Sequence, residues 1–188
     1  MAKLFYYYGA LGSSKTANAL MAAHNYERVG KKPLLLKPAI DTRNGDHVIW
    51  SRIGLQHECY TIEEGMCFPQ SKIKQFDCVI VDEVQFATKE QIDFLAQIVD
   101  DFGIPVMCYG LRTDSRTDLF EGAARLFAIA DVIEEIKTVC WCGAKAICNA
   151  RFIGDKIVYN GATVDLGTED KYVALCRKHY RSGKIKSD

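Results

Sequence analysis

The stretch Cys78-Val79-Ile80-Val81, closed by Asp82 and Glu83, limits the fold of this chain more than any other feature. Four successive apolar residues leave no side for water, so a strand built from them has to be covered on both faces. That is the position of a central strand in a parallel sheet with helices on each side. The neighbouring segments carry the same pattern. Residues 3–8 are an apolar and aromatic run ending at Gly9, in which Tyr6 to Tyr8 read as core strand residues. A glycine- and serine-rich turn leads to a helix over residues 15–29, where Ala17, Leu20, Met21 and His24 recur at helical spacing. Gly30 reads as the stop of that helix, and residues 33–37 as a second buried strand.

Beyond Glu83, Thr88 caps an amphipathic helix to about residue 100, with Ile92, Leu95, Ile98 and Val99 on one face. Residues 104–109 predict a strand, 110–115 a loop at its carboxyl end, 119–127 a helix and 132–136 a last strand. Such alternation predicts an α/β fold, a parallel sheet flanked by helices. Residues 39–58 show little periodicity and read as a loop, with a short strand pair near 48–49 and 58–60. From Thr138 the pattern changes to a cysteine-rich stretch, a hairpin (150–153 and 156–159) about Gly154 and Asp155, a loop to Asp170, and a final helix with a basic tail. Two units are expected, residues 1–137 and residues 138–188, which a chain of 188 residues can support as one sizeable core and a smaller lobe.

Lys plus Arg and Asp plus Glu number 24 each, so no overall field draws the chain to nucleic acid or an anionic membrane. No run approaches the ~20 apolar residues of a membrane span. Tyr6 to Tyr8 and Lys15 make the first residues a poor signal peptide, and the expected location is the cytoplasm.

Gly9-Ala10-Leu11-Gly12-Ser13-Ser14-Lys15-Thr16 has the length of a Walker A phosphate loop, between a predicted strand and a predicted helix. Backbone N–H groups at a helix start, the Lys15 ammonium and the Thr16 hydroxyl would receive phosphates and Mg²⁺. Ser14 stands where the pattern has glycine, and its amide is available only if its backbone takes the geometry glycine accepts freely. The plainer alternative is a turn whose Ser13 or Ser14 caps the helix. Asp82, at the end of its strand, falls beside such a loop and can hold Mg²⁺, while Glu83 can face an acceptor. Together they point to phosphoryl transfer from ATP.

The eight cysteines divide into scattered Cys59, Cys67, Cys78 and Cys108, read as buried thiols, and a C-terminal set. Cys140 and Cys142 form one local pair, and Cys176 with His179 another. Cys₃His is a closed tetrahedral set, so the expected Zn²⁺ is structural; Cys148 could replace Cys142. Trp141 reads as packing beside that metal, and His24, His47 and His57 as surface or structural groups.

The segments YYYGALGSSKT, KPAIDTRNGD, VIVDEVQF, YGLRTD, ADVIEEIKTVCWCG and DKYVALCRKHY, in this order and spacing, resemble the zinc-containing, cytosolic-type (type II) thymidine kinase family over about residues 3–180. The resemblance implies a P-loop α/β domain with a small zinc lobe bearing a lasso loop, and transfer of the ATP γ-phosphate to the 5′-hydroxyl of deoxythymidine. It implies Glu83 as proton acceptor and Asp82 with Mg²⁺. On the nucleotide side it places Gly9, Gly12, Ser13, Ser14, Lys15, Thr16, Gln85 and the segment Asp41, Thr42, Arg43. Thr163, Val164, Asp165, Leu166 and Gly167 match the lasso that holds the base, Tyr172 an aromatic beside the substrate, and Cys140, Cys142, Cys176 and His179 the zinc ligands. It further implies a homotetramer and feedback inhibition by dTTP. Ser115 stands where the family usually has a phenylalanine lining the base pocket, which removes aromatic area against thymine. Two other readings stand beside this one: a dTTP-sensing relative that binds nucleotide with little or no turnover, motivated by Ser14 and Ser115, and a zinc-bearing ATPase acting on nucleic acid, which the neutral charge disfavours.

Overall fold

A computed structural model describes residues 1–43, 45–160 and 171–186. In chain order its elements are β1 (Leu4–Gly9), α1 (Lys15–Arg28), β2 (Pro33–Lys37), β3 (Val48–Trp50), β4 (Gln56–Glu58), β5 (Tyr60–Thr61), α2 (Ile62–Met66), α3 (Gln70–Ile73) and β6 (Cys78–Val81). A 3₁₀ turn (Val84–Phe86), α4 (Lys89–Phe102), β7 (Val106–Leu111), α5 (Glu121–Ile129) and β8 (Val132–Glu135) follow. The remainder is β9 (Thr138–Val139), β10 (Lys145–Ala146), β11 (Cys148–Ile153), β12 (Lys156–Ile157), β13 (Tyr172–Leu175) and α6 (Arg177–Ser182).

Six strands form one parallel sheet in the order β5-β2-β6-β7-β1-β8, and β6 lies in its middle as its unbroken apolar sequence requires. Alternate residues of each strand serve opposite layers. Leu34, Leu36, Val79, Val81 and Val106 pack with Ile92 and Leu95 of α4 and Leu126 of α5. Leu35, Ile80 and Met107 pack with Ala19, Leu20 and Ala23 of α1. Each aliphatic side chain buried this way contributes about 1.5–3 kcal/mol relative to exposure, so the two layers hold the sheet together. A capping box starts α4: the Thr88 hydroxyl accepts from the Gln91 N–H and Gln91 Oε1 accepts from the Thr88 N–H, while Gly103 ends the helix with φ 66°.

Several boundaries differ from the sequence reading for local reasons. The strand expected at 104–109 begins at Val106, because Pro105 has no N–H to give to the ladder. The helix expected from residue 119 starts at Glu121, since Leu119 is occupied in a bridge to Thr113. The strand expected near 58–60 is divided at Cys59: β4 pairs with β3, and β5 leaves that hairpin to join the sheet edge beside β2. The segment after 170, expected to lead straight to a helix, first forms β13, paired with β11. Helices α2 and α3 were not expected.

After the sheet, β9–β10 and β12-β11-β13 form two small sheets closed by α6. They enclose a third cluster that includes Cys140, Cys148, Ala150, Leu175, Cys176 and Tyr180. Among the described residues no helix is long and apolar enough to cross a membrane.

Candidate active site and metal cluster

The carboxyl ends of β1, β6 and β7 open into a cavity of about 640 Å³, lined by the β1–α1 turn, residues after β2 and β6, and parts of the C-terminal segment. In the β1–α1 turn, Ser14 takes φ 59° and ψ 26°, the left-handed conformation that the glycine of a phosphate loop supplies, and its side chain makes no cap. The departure from the motif is therefore absorbed by the backbone, at a cost of about 1–2 kcal/mol for a residue with a Cβ. Gly9 sits beneath the turn rather than in the cavity wall. A Cβ there would lie 2.3 Å from the Ile136 carbonyl oxygen and 2.4 Å from Ser13 Oγ, so glycine is required for the turn to close on the sheet. Lys15 Nζ folds back to the Ala10 carbonyl at 2.9 Å and to Ser13 Oγ at 3.0 Å, ready to exchange these partners for phosphate oxygens.

Beside the turn, Asp82 is buried at the end of β6. Burial, reinforced by the negative charge of Glu83, pushes its carboxyl well above the usual carboxylate range, against a hydrogen bond from the Thr16 side chain. A buried carboxylate beside a hydroxyl in this state has much to gain from a cation, so the pair fits Mg²⁺ chemistry.

Glu83 is the second non-glycine residue of the site with a left-handed backbone, φ 51° and ψ 31°. That turn sends its carboxylate into the cavity, where both oxygens are held. Arg43 Nη2 lies 2.7 Å from Oε1, and Gln85 Nε2 donates to Oε2 at 2.6 Å. Gln85 is fixed in turn by the Leu111 N–H, which donates to its Oε1 at 2.9 Å. Arg43 Nε donates to Asp41 Oδ1 at 2.7 Å. Burial opposes the Arg43 charge, but Glu83 and Asp41 outweigh it and keep the guanidinium protonated.

Gly12, Ser13, Ser14, Lys15, Thr16, Asp41, Arg43, Asp82, Glu83, Gln85, Ser115 and Tyr172 all border this cavity. Thr42 does not; it is exposed between Asp41 and Arg43, and its carbonyl accepts from the Gly45 N–H. Thr163 to Gly167 lie outside the described residues. Sequence reasoning missed Lys37, which is buried and donates to the carbonyls of Gly45 (2.5 Å) and Val48 (3.1 Å), so that it braces the loop bearing Asp41 and Arg43. It also missed Asn149, the edge-to-face pair Phe86 and Phe120 (5.6 Å between centroids), and Trp50 and Ile53 of the β3–β4 hairpin. A lysine ending an apolar strand just before a polar loop was the one available signal, at Lys37.

The C-terminal cysteines and His179 do converge. The ligand atoms of Cys140, Cys142, Cys176 and His179 all lie within 4.8 Å of one another. His179 Nδ1 is 3.5 Å from Cys140 Sγ and 3.4 Å from Cys176 Sγ, and the Sγ atoms of Cys142 and Cys176 are 4.0 Å apart. A tetrahedral zinc with Zn–S of about 2.3 Å has S···S edges near 3.8 Å, so the four residues fit such an ion and leave no open position. Burial opposes ionisation of Cys140, but hydrogen bonds from the Cys142 and Cys176 backbone and from His179 prevail and bring its thiol down to about 6. Cys148 is not part of this group, which favours Cys142 as the fourth ligand. Trp141 stacks on His179 with centroids 4.1 Å apart.

The family profile described as thymidine kinase matches residues 2–180. The thymidine kinase of Lactococcus lactis subsp. lactis is 42% identical over 189 residues, covering 98% of this chain and 100% of the relative. That of Zymomonas mobilis subsp. mobilis is 43% identical over 186 residues, 96% of each chain, and that of Francisella tularensis subsp. holarctica 41% over 194 residues, 97% of this chain and 98% of the relative. With a profile match over nearly its whole length and relatives aligned almost end to end, the chain belongs to the thymidine kinase family.

Proposed function

We propose that this chain transfers the γ-phosphate of ATP to the 5′-hydroxyl of deoxythymidine, with Glu83 accepting the hydroxyl proton. The observation that supports this reading best is that the Glu83 carboxylate and the Lys15-bearing turn line one cavity. The nucleoside oxygen attacks the γ-phosphorus, the bond to the β–γ bridging oxygen breaks, and ADP leaves with the electron pair. The 5′-hydroxyl proton passes to Glu83. Such transfer depends chiefly on positioning and charge neutralisation. Lys15, Arg43 and the loop amides meet the phosphate charge, Thr16 and Asp82 would hold Mg²⁺, which would neutralise charge on the phosphates, and Gln85 keeps the Glu83 carboxylate aimed. Ser115, Tyr172 and the segment Thr163–Gly167 receive the nucleoside.

In this reading the four-residue Cys/His cluster holds a structural Zn²⁺ that pins residues 138–188, the nucleoside lobe, against residues 1–137, the ATP lobe. The product-derived nucleotide dTTP occupies the same cavity as feedback inhibitor, and the active form is a homotetramer in the cytoplasm, with no part for nucleic acid or membrane. Purified protein incubated with Mg-ATP and a panel of nucleosides tests the assignment: dTMP and ADP are expected in equal amounts. Tight nucleotide binding without monophosphate would support the dTTP-sensing alternative instead, and ADP release stimulated by DNA would support an ATPase.

A further inference from the structure

The phosphate loop is held from outside its own sheet. The Leu11 N–H, inside the loop, donates to Asn149 Oδ1 at 2.7 Å, and Asn149 Nδ2 donates to the Thr113 carbonyl at 2.9 Å. Leu11 follows β1 and Thr113 follows β7, adjacent strands with Gly9 opposite Leu111. Their loops part at the sheet edge, each leaving one backbone group directed into the gap. Asn149 reaches this gap from β11 and is 5% exposed. A carboxamide presents a donor and an acceptor on one rigid plane, so it can satisfy an N–H and a C=O together, as neither a hydroxyl of that reach nor a carboxylate can. The Thr138 hydroxyl adds a longer contact to the Gly12 carbonyl, 3.4 Å. On the far side, Asn149 and Cys148 pair with Ala174 and Leu175, next to Cys176.

We infer that Asn149 is a positioning residue: its carboxamide fixes the phosphate loop, through Leu11, in the shape that receives the triphosphate, and joins that loop to the strand pair ending at the Cys/His cluster. The ATP site is thus completed by the segment that also carries Tyr172. The effect on turnover rests on the kinase reading above; the effect on nucleotide binding does not.

The test is calorimetric binding of Mg-ADP, with Michaelis constants for ATP and thymidine and the thermal midpoint, for wild type, Asn149→Leu and Asn149→Thr. In Asn149→Leu, losing both bonds is expected to weaken Mg-ADP by about ten-fold or more and to raise the ATP constant in parallel, with the thymidine constant within about two-fold. Asn149→Thr, whose hydroxyl serves only one of the two groups, should fall between. A lower thermal midpoint with unchanged Mg-ADP affinity would overturn the inference, as would a raised thymidine constant with ADP binding unchanged, which would make Asn149 a base contact. Should Asn149→Leu fail to fold, amide exchange in unliganded wild type decides: protection of Leu11 is expected, and exchange at the rate of an open loop overturns it. Wild type that binds Mg-ADP but phosphorylates no nucleoside refutes the kinase reading and leaves the binding comparison intact.

Discussion

The sheet and the segment that follows it are stabilised by different means. In the sheet, nineteen buried residues on one face and ten on the other form continuous apolar layers. Among the described residues of the C-terminal segment the buried cluster has seven members, three of them cysteines, and the strands are two to six residues long. Apolar burial can hold the first alone, whereas the described part of the second has less of it and carries the Cys140, Cys142, Cys176 and His179 cluster, which on the proposed reading supplies a metal cross-link. On the proposed reading, the catalytic and phosphate-binding groups stand on the part with the larger core, and Tyr172, beside the nucleoside, stands on the part with the smaller one.

The largest break in this comparison is expected at Glu83. Glu83→Gln keeps the side chain's size and should lower kcat by about 100- to 1,000-fold with Mg-ADP affinity within about two-fold, since the proton acceptor is lost and the phosphate groups are not. Steady-state rates and calorimetry on the same preparation check this; unchanged kcat would refute the role. Next comes the cross-link. Chelation or Cys176→Ser should raise the thymidine constant by about ten-fold or more, exceed the change in ATP affinity, and open β11 and β13 to hydrogen exchange while β6 and β7 remain protected. Uniform loss of protection would mean that the two parts are one cooperative unit.

A smaller effect tests the part with the larger core. Leu95→Ala, in the layer between sheet and α4, should cost about 2–5 kcal/mol of stability by denaturant titration and leave the zinc content unchanged. Smaller again is Asp82. Its carboxyl stands at about 7 in the folded, ligand-free chain against 3.8 for the free group, so the folded state binds more protons between those values and stability falls as pH rises through that window. Asp82→Asn should flatten this fall and raise the thermal midpoint at pH 8 by a few degrees. The smallest change is expected for Ser14→Gly, which relieves a left-handed residue at the helix start: turnover within about two-fold and a stability shift of about 1 kcal/mol or less.

What could be read in advance follows the same division. The continuous apolar run of β6, the amphipathic period of α4 and the strand-turn-helix spacing about Lys15 are local signals, and local signals determine the central layers and the cavity edge. The clustering of Cys140, Cys142, Cys176 and His179 was legible because metal ligands come in a few spacings. Asn149 was not, because an isolated asparagine in a polar stretch gives no hint of the two loops it meets, 138 and 36 residues away. Strand β13 is short and partly exposed, so it has no period to detect, and the left-handed turn at Glu83 is made by a residue with a Cβ, so no glycine marks it.

Strand β1 pairs with β7 and β8, whose residues lie more than a hundred positions later in the chain, as in Leu4 with Val106 and Phe5 with Val132. During translation this strand must wait for much of the polypeptide before its slot exists, and the turn it bears meets Asn149 only after residue 149 has emerged. On the role inferred for Asn149, a chain halted before that residue has emerged can assemble much of the hydrophobic interior and still lack a turn held in the shape that receives a triphosphate.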